Sequence, residues 1–212
     1  DIRGIGVSSD SSISNSGFGG GIYVHSSGSA DIYYSTITNN KAVGVLGDDI
    51  GNFAMGGGIY NNGTLNLYCS TVSGNSANGF MYNEDSYFIS GMGGGIYLNS
   101  GDAVIAASTI TGNSVDHASS GKEHEGNEYI RDGAALVVNG GNALLIGNTI
   151  AYNSSYFNGI WTNVQQGYAV NIHDGEITLR NNIIAENHLL GSANMPNRDL
   201  IMYDGSLTFD TP

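Results

Sequence analysis

The chain has 212 residues, and its composition already excludes several functional classes. Six basic residues against 19 acidic ones give a net charge of -13, which is the wrong sign for holding nucleic-acid phosphates. A single cysteine can form neither a disulfide framework nor a CxxC zinc motif, and no apolar run reaches the roughly 18 residues of a membrane helix. We therefore expect no nucleic-acid partner and no transmembrane segment.

A short string of the form Ser-Thr-Ile-Thr-Asn-Asn recurs along the chain. It begins at residue 11 and returns in varied form at 35–40, 70–75, 108–113, 148–153 and 182–187. Its apolar anchors are Ile13, Ile37, Val72, Ile110, Ile150 and Ile184. The repeat therefore sets the prediction of the fold.

Two further features accompany each string. A glycine cluster precedes it, most clearly as Gly-Gly-Gly-Ile-Tyr at 19–23, 56–60 and 93–97, and a turn glycine with an alternating apolar pair follows the cluster. Each unit thus predicts three short strands, with period-two alternation and no helical pattern. Three strands in a turn of about 24 residues predict an all-β chain, a parallel β-helix of about six coils that forms a single domain over 1–212.

Stacked coils place equivalent residues in columns. The predicted interior column consists of Ile22, Ile59, Ile96, Leu136, Val170 and Ile201. The predicted structural ladder consists of the asparagines that close each string, which can bond to turn backbone and to each other: Asn40, Asn75, Asn113, Asn153 and Asn187. Cys69 is two residues from Leu67 in phase with the inward positions, which predicts a small buried side chain.

The distance between anchors exceeds one coil after the first repeat, and the extra residues always enter at the same point. The predicted insertions are 43–55, 78–92, 116–132, 156–166 and a shorter one at 189–197. Because they share one coil position, they should emerge side by side along one edge. Repeat proteins often concentrate binding on such a face.

The insertions are rich in aromatic residues, and we take these as the candidate binding residues: Tyr82, Tyr87, Phe88, Tyr156, Phe157 and Trp161. One interpretation is mutual packing into a satellite cluster. The other is contact with a partner, which is another subunit, a host protein or a glycan.

Acidic residues also cluster in the insertions, and two interpretations stay open. The carboxylates are either spread out and solvated or bridged by Ca²⁺, which favours oxygen ligands from irregular loops. The candidate calcium ligands are Asp48, Asp49, Glu84 and Asp85. No other cofactor is expected.

The combination of Gly-Gly-Gly-Ile-Tyr with Ile/Val-x-x-Asn resembles the GGA(I/L/V) and FxxN repeats of polymorphic outer-membrane proteins. It is also similar to the wider set of bacterial surface proteins with right-handed parallel β-helix repeats. The resemblance covers about residues 11–209, although Ile or Val stands where that motif has Phe. It implies a right-handed β-helix that is secreted or exposed at the cell surface, often as an adhesive stalk.

Two functions compete at this point. The first is a non-catalytic extracellular structural or adhesive protein, either a surface stalk or a filament subunit that stacks head to tail through open ends. A segment of a longer β-helix would show the same ends. The second is a polysaccharide lyase or glycoside hydrolase, which needs two carboxylates on a rigid platform. The in-coil candidates are Asp31, Asp102, Asp174, Glu176 and Glu186.

Overall fold

The computed structural model describes residues 5–6, 16–44, 53–79, 91–118, 133–158, 168–190, 198–202 and 205–209. Over these ranges the chain forms β-strands and no helix. The strands of the first half are β1 (Ile5–Gly6), β2 (Gly17–Phe18), β3 (Ile22–Val24), β4 (Ser29–Tyr33), β5 (Thr36–Thr38), β6 (Lys41–Gly44), β7 (Ala54–Met55), β8 (Ile59–Asn61), β9 (Thr64–Tyr68), β10 (Thr71–Ser73), β11 (Ser76–Gly79), β12 (Gly91–Met92) and β13 (Ile96–Leu98). Those of the second half are β14 (Asp102–Ala106), β15 (Thr109–Thr111), β16 (Ser114–Ala118), β17 (Leu136–Val138), β18 (Asn142–Ile146), β19 (Thr149–Ala151), β20 (Ser154–Asn158), β21 (Tyr168–Ile172), β22 (Glu176–Arg180), β23 (Ile183–Ala185), β24 (His188–Leu190), β25 (Arg198–Met202) and β26 (Ser206–Phe209).

The strands assemble into five parallel sheets, which we name in the order in which a coil passes through them. Sheet A contains β2, β7 and β12, and sheet B contains β3, β8, β13, β17, β21 and β25. Sheet C contains β4, β9, β14, β18, β22 and β26, and sheet D contains β5, β10, β15, β19 and β23. Sheet E contains β1, β6, β11, β16, β20 and β24. The predicted all-β parallel solenoid is confirmed.

Each coil has more strands than the predicted three. Coils β2–β6, β7–β11 and β12–β16 pass through all five sheets, so the number of complete five-sheet coils is three rather than the predicted six. The later coils lack a described strand in sheet A. The prediction missed sheet E because the segment after each closing asparagine, such as Ser76–Gly79, was assigned in part to an insertion. In the structure it pairs with the equivalent segments of the neighbouring coils.

Register follows the apolar anchors. Ile37, Val72, Ile110, Ile150 and Ile184 are consecutive partners in sheet D. In sheet B the column runs from Ile22 to Val170 as predicted, but its next member is Leu200 and not Ile201, which pairs with Asn171 instead. The last coil has no glycine cluster from which the position could be counted, and a slip of one residue exchanges the two faces of a strand.

These inward columns form one continuous hydrophobic core. It includes Ile59, Leu67, Ile96, Ile105 and Leu136, all completely buried. Burial of an aliphatic side chain of this size stabilises the fold by about 1.5–3 kcal/mol. Because each coil buries its apolar residues only against the coils above and below it, the core depends on stacking.

The prediction that Cys69 is buried is wrong. Cys69 is exposed and has a φ of 49° in the turn between sheets C and D. The equivalent residues of other coils also have positive φ and are exposed: Tyr34, Ala107, Gly147 and Asn181. The left-handed residue ends the period-two alternation of the preceding strand, so counting inward positions from Leu67 fails there.

The glycine clusters mark a corner where backbones of adjacent coils come very close. A Cβ atom on Gly57 would lie 2.4 Å from the carbonyl oxygens of Gly94 and Ser76, and one on Gly94 would lie 2.2 Å from the oxygen of Ser114. The obstacle is backbone in each case and cannot rotate away. The glycines therefore serve close packing at this corner.

Candidate functional site

The chain ends five of its described stretches at one edge of the solenoid. It leaves the described strands after residues 44, 79, 118, 158 and 190, each time at the end of a strand of sheet E. These strands are direct neighbours, with Ser76 paired to Lys41 and Ser114, for example. Parallel strands lie about 4.8 Å apart, so successive insertions start next to one another.

The strands of sheet E extend further than predicted, into the segments assigned to the insertions. The predicted first residues of the insertions all belong to sheet E instead: Val43, Asn78, Asp116, Tyr156 and Leu189. Tyr156 and Phe157 are consecutive residues of β20, and Tyr156 is exposed. The remaining predicted aromatic residues lie outside the described residues: Tyr82, Tyr87, Phe88 and Trp161. The candidate calcium ligands also lie outside them: Asp48, Asp49, Glu84 and Asp85.

The closing asparagines form a buried ladder between sheets D and E. The side-chain N–H of Asn75 donates to Asn113 Oδ1 at 2.9 Å, and the backbone N–H of Asn75 donates to the same oxygen at 3.0 Å. The other steps repeat this pattern and connect Asn40, Asn75, Asn113, Asn153 and Asn187. The Nδ2 of Asn113 also donates to Val72 O at 2.9 Å. The side-chain N–H groups are thus hydrogen-bonded at every step of the ladder.

The ladder has a direction and a terminal acceptor. Every asparagine donates toward the C-terminal coils, and the last donor, Asn187 Nδ2, donates to Asp199 Oδ1 at 2.7 Å. Asp199 belongs to β25 and not to a further turn of the repeat. A carboxylate is a stronger acceptor than an amide oxygen, so it is well suited to close a row of donors.

A second ladder of hydrogen bonds was not predicted from the sequence. At the corner between sheets C and D, the backbone N–H of Ser35 donates to Ser70 Oγ, and that of Ser70 donates to Ser108 Oγ. Ser108 N–H donates to Asn148 Oδ1, and Asn148 N–H donates to Asn182 Oδ1, both at 2.9 Å. These residues stand first in each recurrent string. The repeated Ser or Asn at that position could therefore have predicted the second ladder.

Aromatic rings stack on the outer side of sheet B. Tyr60 lies between Tyr23 and Tyr97, with ring centroids 5.2 and 5.6 Å apart and nearly parallel planes. Phe18 of sheet A packs against Tyr60 at 5.0 Å. Burial, and secondly the phenol of Tyr23, raise the pKa of Tyr60 from 10.0 to about 12. The environment of the stack therefore keeps the Tyr60 phenol neutral up to strongly alkaline pH.

The in-coil carboxylates occur as separate members of outer columns. Asp31 accepts a hydrogen bond from Asn66 at 2.7 Å, and Asp102 accepts one from Asn142 at 3.0 Å. Glu176 lies in register with Asn142, so Asp102 and Glu176 are two strands, or about 9.5 Å, apart. The Asn142 side chain lies between them, where a glycosidase would need its substrate and water.

The other two carboxylates are in turns. Asp174 contacts His173, its Oδ2 being 2.8 Å from Nδ1, and Glu186 has a φ of 54°. Within the ranges given above, no three His, Cys, Asp or Glu side chains converge as a metal site. The same ranges contain no helix that could span a membrane.

Comparison of the chain with models of protein families, with curated proteins and with solved structures found no match. The resemblance to bacterial surface repeats therefore remains a resemblance of motifs.

Proposed function

We propose that the chain is a non-catalytic structural and adhesive β-solenoid of the cell exterior, a surface stalk whose insertions form the contact face. The observation that carries the proposal is the common exit of the insertions from neighbouring strands of sheet E. A set of adjacent segments on a rigid support can present several contacts to one partner at once. The partner proposed is a host protein or a glycan.

Composition supports a role outside the cell. The coil is built from Gly, Ser, Thr and Asn with few basic residues, and its internal order comes from hydrogen-bond ladders as well as apolar columns. Such a scaffold does not need a large apolar insertion to hold it together. The aromatic residues of the insertions are therefore available for contact in this proposal.

The test is adhesion of beads coated with the chain to a glycan array and to epithelial monolayers. The variant carries Tyr87→Ser, Phe88→Ser and Trp161→Ser, and the control carries Tyr34→Ser, which removes a tyrosine that is 84% exposed on another side of the coil. We expect adhesion of the wild type and the control and at least a tenfold loss in the variant. Equal adhesion of all three, or of none, contradicts the proposal.

We also propose that the acidic insertion residues bind calcium. The adhesion assay is therefore repeated with calcium and with a chelator, on the wild type and on a variant with Asp48, Asp49, Glu84 and Asp85 changed to Asn or Gln. If calcium orders the contact face, the chelator reduces wild-type adhesion to the level of the variant. Adhesion that is indifferent to chelator removes calcium from the proposal.

A filament subunit is the second candidate, and the C-terminal edge of the solenoid favours it. This edge exposes the apolar side chains Ile183, Leu190, Met202 and Phe209. Unpaired strand edges with apolar residues are templates for pairing with another chain. Electron microscopy over a dilution series should then show rods that lengthen with concentration, and Phe209→Asp should shorten them. Rods of constant length in both proteins would exclude stacking.

The alternative function, a glycoside hydrolase or a polysaccharide lyase, can be tested directly. Polygalacturonate, alginate and neutral glucans are incubated with the chain, and reducing ends and unsaturated uronates are measured. We expect no turnover. Turnover that disappears in Asp102→Asn or Glu176→Gln would replace the adhesive proposal with an enzymatic one.

A further inference from the structure

The outer face of sheet D carries two columns of hydroxyl side chains. Strands β5, β10, β15 and β19 read Thr-Ile-Thr or a variant of it, and their buried Ile or Val lies between two outward residues. The first column consists of threonines that pair from strand to strand: Thr36, Thr71, Thr109 and Thr149. The second column runs beside it: Thr38, Ser73, Thr111 and Ala151. We call these two columns the hydroxyl face.

Two hydrogen-bond ladders run along the borders of the hydroxyl face. The ladder of closing asparagines follows the corner with sheet E, and the Ser/Asn ladder follows the corner with sheet C. Sheets that stay flat over many strands are typically stabilised by such side-chain ladders. In the middle coils the left-handed residues of both corners are also small: Cys69, Gly74, Ala107 and Gly112. The hydroxyl face is therefore a flat support without bulky neighbours in these coils.

The first column is free to bind water. Its threonine hydroxyls form no hydrogen bond within the part of the chain that the structure describes, and β-branching restricts their rotation about χ1. In the second column, Thr38 Oγ1 donates to the backbone oxygen of Ser73 at 2.9 Å. No outward residue of sheet D is ionisable, although the chain has a net charge of -13. The face thus presents uncharged hydroxyl and methyl groups at fixed, regular positions.

We propose that the hydroxyl face binds ice. Neighbouring strands are about 4.8 Å apart, and two residues along a strand span about 6.6 Å. Hexagonal ice repeats its oxygen positions along one axis at nearly the first of these spacings, and along the perpendicular axis at slightly more than the second. Water that the threonine hydroxyls hold in place can therefore continue into the lattice. The lack of charge fits the same ligand, because the ice lattice excludes ions. The inference concerns sheet D and does not rest on the insertion face.

The experiment measures thermal hysteresis and inhibition of ice recrystallisation by the full chain at concentrations up to millimolar. We expect the wild type to shape ice crystals and to hold their freezing point below their melting point. Thr71→Lys places a charge in the middle of the first column and should reduce the hysteresis at least tenfold, because its outward side chain leaves the core unchanged. Thr109→Lys repeats this test in the next coil. The matched control is Thr64→Lys, which changes an exposed threonine of sheet C in the same coil as Thr71 and should behave like the wild type.

Three results overturn the inference. The first is a wild type that shows neither hysteresis nor inhibition of recrystallisation. The second is full activity of Thr71→Lys or Thr109→Lys, with circular dichroism and melting that match those of the wild type. The third is a loss of activity in Thr64→Lys as large as theirs. The variant with substituted insertion aromatics should keep its activity on ice, which separates a failure of this inference from a failure of the adhesive proposal.

Discussion

The three five-sheet coils and the coils that follow them differ at the corner where the glycine cluster lies. Coils β2–β6, β7–β11 and β12–β16 have a strand in sheet A and three consecutive glycines at the corner that follows it. The next coil has Gly133 followed by Ala134 and Ala135, with no described strand in sheet A. Ala134 instead joins a small buried cluster with Ala42, Ala54, Ala77 and Val115.

This difference shows what the glycine cluster is for. Glycine is required in the first three coils because the backbone of the next coil and the start of a sheet E strand both approach it, whereas alanine occupies the equivalent positions of the coil that follows. The asparagine ladder, by contrast, continues through both regions without a break. The ladder therefore connects the two parts as one stack, although the corner differs between them.

The largest effect is expected for breaking the ladder in its middle. Asn113→Ala leaves the backbone and side-chain N–H groups of Asn75 without their acceptor and removes the hydrogen bond that Asn113 donates to Val72 O. We expect a loss of about 4 kcal/mol in the free energy of unfolding, measured by urea denaturation. Asp199→Ala, at the end of the same ladder, should cost only about 1.5 kcal/mol. Equal losses would mean that the ladder does not couple the two regions.

We expect the next largest loss of stability at the corner marked by the glycine cluster. Gly57→Ala forces a Cβ atom against the backbone oxygens of Gly94 and Ser76, so we expect a loss of about 3 kcal/mol. The opposite exchange in the later region, Ala134→Gly, should cost about 1 kcal/mol through chain entropy and a lost methyl contact. Urea denaturation of both variants checks the contrast. A tolerated Gly57→Ala would refute the close approach as the cause of the glycine cluster.

A smaller and reciprocal effect is expected at the left-handed turn between sheets C and D. Gly147 has a φ of 61° and an added Cβ would meet nothing within 4 Å, so Gly147→Ala tests backbone strain alone. It should destabilise the fold by about 1 kcal/mol, and Ala107→Gly, at a φ of 49°, should stabilise it by a similar amount. Thermal unfolding measures both. Shifts of the same sign would show that side-chain contacts, not φ, decide these positions.

The smallest effect at neutral pH is expected in the tyrosine stack of the first three coils. Because the pKa of Tyr60 is raised to about 12 in the fold, the unfolded chain loses this proton from about pH 10 upward while the folded chain keeps it. Stability should therefore fall between pH 10 and pH 12. Tyr60→Phe should be near neutral in stability at pH 7 and should show a shallower decline over that window. Parallel pH profiles would contradict the assignment.

Much of the architecture could be predicted because the repeated sequence indicates both the strands of a coil and the way in which coils stack. Period-two alternation and the spacing of Ile37, Val72 and Ile110 predicted a parallel solenoid and its register in sheet D. The errors arose where a local backbone feature interrupts the period. A positive φ at Cys69 turned a position counted as inward to the outside, and the last coil lacked a glycine cluster from which Leu200 could be counted.

The candidate sites were predicted less completely for a physical reason. The insertions show no repeat from coil to coil, so their sequence indicates where they start but not what they contact. The stack between Tyr33 and Tyr68 on sheet C joins residues of two different coils. Only the register of those coils brings them together.

We propose that the solenoid is complete without its insertion aromatics and that these side chains contact a partner. The most direct test is urea denaturation of the variant with Tyr87→Ser, Phe88→Ser and Trp161→Ser. We expect a free energy of unfolding within about 0.5 kcal/mol of the wild type, as for surface substitutions. A loss of about 3 kcal/mol or more would mean that these rings pack as a satellite core, and it would contradict the proposed contact face.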